Sequence, residues 1–203
     1  MNKYLFVISV IIASMVSSCT STKIVSSWRE PNKQVQIDKL HKVLVVALFK
    51  SETNRRKAED QMVGYLKGKG IASYNYLDAD FNKNKIESLR DKIKADGFDG
   101  AITMSLIDVD REKLYVPGNY ASYPSNYRTL GGYYNRSWSI YSTPGYYVNT
   151  KTYTIETNIY SAKEDKIIWT GQTKTTDPDG VNKMTEEISK VIFKKMVAEG
   201  FIL

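Results

Sequence analysis

Lys42-Val43-Leu44-Val45-Val46-Ala47-Leu48-Phe49 decides how this chain is read. After the lysine the run is wholly apolar and β-branched at three positions. Without polar alternation, it suits a strand buried on both faces, central in a sheet that helices cover. The neighbouring residues agree with such a sheet. Ser51 or Thr53 can cap a helix whose residues Ala58, Met62, Tyr65 and Leu66 share one face, with Gly68 and Gly70 ending it. Ser73 to Leu77 reads as a second strand. A second amphipathic helix spans about 85–95, with Ile86, Leu89 and Ile93 inward and Asn84 with Glu87 placed as a capping box. Gly97-Phe98-Asp99-Gly100 then turns into a mostly apolar strand, Ala101–Asp110.

Further on, Thr152–Tyr160 alternates, with Tyr153, Ile155 and Ile159 on one face, and Lys166–Thr175 returns carrying Ile167, Ile168 and Trp169. This hairpin should set one face on helices and the other in solvent. Asp177-Pro178-Asp179-Gly180 is a turn, since proline presets φ and glycine permits positive φ. Val181, Met184, Ile188, Val191 and Met196 recur at helical spacing toward Gly200, and the methionines read as core filler. The order β-α-β-α-β-β-β-α implies the α/β class: a mixed sheet packed with about three helices over residues 42–203, one domain.

Toward the N-terminus, Lys3 precedes an apolar run from Tyr4 to Val16, then Ser17, Ser18 and Cys19, the sole cysteine. The run is shorter than the ~20 residues a membrane span needs and suits the hydrophobic core of an export signal. Its end resembles the lipobox of bacterial lipoproteins, which implies removal of residues 1–18 and lipid attachment at Cys19. Thr20 stands where enterobacterial-type sorting places an inner-membrane aspartate, so the chain resembles the class released to the outer membrane, facing the periplasm. Residues 19–41 read as a lipidated tether, ending in an extended stretch that docks on the domain through Trp28. Several chains on one cysteine hold a protein firmly where a single chain does not. With no second cysteine, no intramolecular disulfide forms, and stability must come from packing.

The formal charge of +7 invites a nucleic-acid reading. The export signal and the dispersal of the lysines, without a dense basic block, argue against it. Two readings of the charge stay open: a solvated lysine-rich surface, or attraction to anionic envelope polymers and lipid head groups.

Between residues 115 and 148 the chemistry changes. Tyrosine stands at 115, 120, 123, 127, 133, 134, 141, 146 and 147, nine of the fifteen in the chain, among Gly, Pro, Ser and Asn, with Arg128, Arg136 and Trp138. A connection this long is unusual inside a compact domain. Tyr and Trp give large contact areas with few torsions to freeze, as in binding loops. Tyr133, Tyr134, Trp138, Tyr146 and Tyr147 are the candidate partner-binding residues, for an envelope protein or a glycan. The alternative is a long hairpin or curled loop whose rings cover a sheet face.

Catalytic sets are sparse. His41 is the single histidine, no nucleophile elbow is visible, and the residues offer no zinc ligand set, phosphate loop or cofactor site. Asp78 with Asp80 and Asp108 with Asp110 are carboxylate pairs of the kind glycoside hydrolysis uses, the latter sharing a strand face. The expectation is a protein that is not an enzyme.

Several stretches together resemble small Gram-negative envelope lipoproteins of uncharacterised function. They are Ser27-Trp28-Arg29-Glu30-Pro31, Lys42–Phe49, Asn54-Arg55-Arg56 with Glu59-Asp60, and Gly97-Phe98-Asp99-Gly100-Ala101. The Tyr/Gly/Pro insert, and Glu156-Thr157-Asn158-Ile159-Tyr160 leading to Ile168-Trp169-Thr170-Gly171, complete the likeness. The order of elements is also similar to the lipoprotein domains of curli secretion and of penicillin-binding-protein activators, an analogy of fold that transfers no function. The resemblance implies an outer-membrane lipoprotein that binds an envelope partner. Its alternatives are a regulatory subunit of a peptidoglycan synthase or secretion assembly, and a glycan hydrolase using Asp108 and Asp110.

Overall fold

A computed structural model of the chain describes residues 21–77, 86–116, 129–134, 138 and 144–203. The elements run β1 Thr22–Arg29, β2 Val43–Leu48, α1 Glu52–Gly64, β3 Gly70–Ala72, α2 Ser73–Tyr76, α3 Ile86–Ala95, β4 Gly100–Val116, β5 Tyr146–Ser161, β6 Lys166–Thr176 and α4 Gly180–Ala198. The six strands form one sheet in the order β1-β6-β5-β4-β2-β3. β2 lies parallel to both β3 and β4, whereas β4, β5, β6 and β1 are antiparallel in turn. The mixed α/β sheet is therefore present, and β2 sits inside it as its unbroken apolar run requires.

One face of the sheet carries the main core. Val43, Val45 and Ala47 of β2, Ile102 and Met104 of β4, Ile155 of β5 and Trp169 of β6 meet Ala58 and Met62 of α1 and Ile188, Ile192 and Met196 of α4. Val45 and Trp169 have no exposed surface at all. In β6 the register slips between Ile159 and Tyr160 of its partner, so that Ile168 and Trp169 both turn inward. Gly171 makes room for the indole: a Cβ there would collide with the Trp169 ring. On the opposite face, Leu44 is fully buried, and Leu89 and Ile93 of α3 stand near Ala101 and Tyr160.

Glu59 explains a departure from expectation. The alternating residues Ser73 to Leu77 read as a strand, yet β3 ends at Ala72 and Ser73 starts a helical turn. The carboxylate of Glu59, fully buried on α1, accepts hydrogen bonds from Ala47 N–H at 2.9 Å, Ser73 Oγ–H at 2.7 Å and Tyr74 N–H at 3.4 Å. It gathers the Ser73–Tyr74 backbone away from the sheet. Ser51 caps α1, accepting from Asn54 N–H.

The segment expected to be a tether is largely built into the fold. Thr22–Arg29 is the edge strand β1, and a bulge between Ile24 and Ser26 resets which side chains face inward. Trp28 consequently faces outward, 46% exposed, and the docking is done by other residues. Thr22 Oγ–H donates to Glu187 Oε2 at 2.9 Å, and Ser27 Oγ–H to Glu199 Oε1 at 2.6 Å. Beyond β1, Ile37 is buried in a short 3-10 turn, and Val35 pairs with Ile202. The export signal, Cys19 and Thr20, Asp78 with Asp80, and the Asn84–Glu87 cap lie outside the described residues.

Candidate functional site

β4 and β5 are longer than their neighbours, and their pairing runs unbroken from Asp108↔Thr154 to Val116↔Tyr146. β6 ends opposite Thr152. Past that rung only two strands continue, forming an antiparallel arm that leaves the sheet. Sequence reasoning ended the strand at Asp110 and began its partner at Thr152. The ends of the insert are thus stems of a hairpin. The signal was partial: Arg111-Glu112-Lys113-Leu114-Tyr115 does not alternate, but Tyr146-Tyr147-Val148 is rich in strand-forming residues.

The register sorts the arm into two faces. Arg111 with Lys151, Lys113 with Asn149, and Tyr115 with Tyr147 share one; Asp110 with Thr152, Glu112 with Thr150, and Leu114 with Val148 share the other. Cations and acids are therefore segregated. The Tyr115 and Tyr147 rings lie 5.2 Å apart, and Lys113 Nζ stands 4.4 Å from the centre of the Tyr147 ring. Leu114, Tyr115, Tyr146 and Tyr147 are all more than half exposed.

Among the candidate residues, Tyr146 and Tyr147 stand on the arm. Tyr133, Tyr134 and Trp138 belong to a separate described piece. There Thr129 accepts Gly132 N–H through its hydroxyl and Tyr133 N–H through its carbonyl, and residues 130–134 are helical. Tyr134 and Trp138, four residues apart in sequence, stack with centroids 5.8 Å apart. All five candidate rings are more than half exposed. Leu114, Arg111, Lys113 and Lys151 were not among the candidates and complete the arm.

At the base of the arm a cleft of 560 Å³ opens between β4, β5 and the N-termini of α1 and α4, walled by Leu48, Phe49, Leu106, Tyr153, Val181 and Met184. Asp108 and Asp110 do share a strand face, but both are exposed on the sheet and neither lines this cleft. His41 is exposed, with Nδ1 3.6 Å from the Asp99 carboxylate, which also accepts the His41 and Lys42 N–H groups. Among the described residues no three His, Cys, Asp or Glu side chains stand together as a metal site would need, and no helix is long and apolar enough to cross a membrane.

No protein-family model matches the chain, and no curated protein matches it in sequence. Among solved structures it is similar to the PelC dodecamer from Paraburkholderia phytofirmans, at 7% identity and a TM-score of 0.45, over 84% of this chain and 94% of that one. It is also similar to lipoprotein GNA1162 from Neisseria meningitidis, at 8% identity and a TM-score of 0.38, over 77% of this chain and 98% of that one. Likenesses at these values carry no function across, and the chain's own residues must supply it.

Proposed function

We propose that this chain is a non-enzymatic cell-envelope lipoprotein, held in the outer membrane through Cys19 and facing the periplasm, whose α/β body displays an aromatic arm to an envelope partner. The observation that carries this reading is the arm itself. Leu114, Tyr115, Tyr146 and Tyr147 are held in register by a two-stranded ladder and left uncovered, although apolar surface in a monomer is normally folded away. Supporting the anchor is Val16-Ser17-Ser18-Cys19, with its resemblance to a lipobox. Thr20 favours release to the outer membrane. The kinship with small Gram-negative envelope lipoproteins belongs to the same proposal.

Three measurements test it. Cys19→Ala should abolish metabolic labelling with a fatty acid and leave the protein unprocessed or soluble; persisting label would refute the anchor. Density fractionation of the wild type should place it in the outer membrane. Crosslinking in intact cells should then capture a partner that is lost when Tyr146 and Tyr147 become Ser. Undiminished capture by that variant would overturn the role given to the arm.

A further inference from the structure

The sheet register fixes which way the arm points relative to the lipid, and this deepens the proposed function, on which it rests. Thr22 pairs with Thr175, Thr175 with Tyr153, and Tyr153 with Val109, so these four residues form one rung across the sheet. β1 therefore begins at the same end of the sheet from which the arm departs. Thr22 is three residues after Cys19. At ~3.3–3.6 Å per residue, that spacing keeps Thr22, the β1 end of the rung, within about 10 Å of the lipidated cysteine. Beyond the rung the arm adds seven further residue pairs, Asp110↔Thr152 to Val116↔Tyr146. At ~3.3 Å each, this is about 20 Å of arm. The arm is about twice as long as the tether. The short tether and the arm thus leave the sheet at the same end, which sets the arm on the side where the lipid enters.

We infer that the arm is a membrane-contact element, lying against the phosphate layer of the bilayer that receives the Cys19 lipid. The chemistry is graded to fit. On the face that Arg111, Lys113 and Lys151 occupy, Tyr115 and Tyr147 stand two rungs beyond Lys113 and four beyond Arg111 and Lys151, with Leu114 and Val148 behind them on the other face. Tyrosine partitions to the membrane–water interface because its ring is apolar and its hydroxyl wet. Lys and Arg stems lie along apolar surface while their charges reach phosphates. The acids Asp110 and Glu112 are on the other face of the ladder, turned from the cations.

The test uses the lipidated protein in vesicles of phosphatidylethanolamine and phosphatidylglycerol. Asn149→Cys, opposite Lys113 on the cationic face and labelled with an environment-sensitive fluorophore, is compared with Lys163→Cys in the exposed β5–β6 turn at the far end of the sheet. Flotation with the vesicles is scored first. The expected result is flotation, with a blue shift and quenching by headgroup-labelled lipid at 149 and neither at 163. Lys113→Glu with Lys151→Glu should reduce the quenching while flotation persists. Flotation with a water-exposed probe at 149 would overturn the inference and leave the anchor standing. Failure to float would remove the anchor reading and this inference with it. A blue shift at 149 seen in native envelopes but not in pure lipid would assign the arm to a protein partner and equally overturn the inference.

Discussion

The indole N–H of Trp169 donates to Glu199 Oε2 at 2.8 Å, while Ser27 Oγ–H and Lys195 hold the other carboxylate oxygen. One carboxylate just past the end of α4 thus joins the edge strand β1, the core strand β6 and its own helix. Arg29 adds a hydrogen bond to the Glu199 carbonyl.

Stability should therefore carry an acid limb traceable to Glu199. Burial opposes its charge, but the hydrogen bonds from Ser27, Trp169 and Lys195 outweigh that and pull its pKa below the ordinary 4.5. An acid held below its unfolded-state value contributes stability that is fully present above that value and lost as pH falls through the folded one. Denaturation midpoints measured from neutral pH to about pH 3 should show Glu199→Gln below the wild type at neutrality and converging with it in acid. Parallel curves would show that the carboxylate does not titrate with folding.

The core depends on Val45 and Trp169. Val45→Asp places an unpaired charge in a site without solvent and should leave no folded domain. Trp169→Ala should cost ~3–5 kcal/mol. Gly171→Ala, which pushes a methyl group into the indole, should cost ~1–3 kcal/mol. Calorimetry checks all three, and an unchanged melt for Gly171→Ala would mean the indole is not seated on that glycine.

Glu59 organises the ends of β2 and β3. Glu59→Ala leaves the donors of Ala47 and Ser73 buried without an acceptor, at ~1–3 kcal/mol each. Glu59→Gln keeps an acceptor oxygen and should be milder. Equal losses for the two variants, measured by urea unfolding, would show that the cavity and not the hydrogen bonding matters.

Starting the chain at residue 31 should do more than shorten its N-terminal segment. It uncovers the edge of β6 and strips Glu187 and Glu199 of their Thr22 and Ser27 donors. Exposed edges pair with other chains, so sedimentation should show association. A monomer with the wild-type melting temperature would refute this account of β1.

Much of the body was legible because its patterns are local. Val43 to Leu48 is apolar throughout, Val181 to Met196 keeps the helical period, and Thr152 to Tyr160 alternates. What was missed depends on partners distant in the chain. Ser73 and Tyr74 alternate like a strand until Glu59 draws them aside. Thr22 to Arg29 reads as an extended stretch docked through Trp28, but Glu187 and Glu199 do the docking and its bulge turns Trp28 outward. The candidate rings at Tyr146 and Tyr147 were found by composition alone. Their placement on a ladder needed the pairing with Leu114 and Tyr115, across an insert whose length hid the hairpin.

The attachment of β1 also sets the order of events when the chain folds. Thr22 bonds to a residue 165 positions further on, and Ser27 to one 172 positions further on. A chain made from its N-terminus must hold this strand unpaired until β6 and α4 have been synthesised, and such distant closures slow folding and prolong exposure of unpaired strands. The first strand of the sheet is thus the last to be seated. During that interval it is β1 itself that stands unpaired and open to another copy.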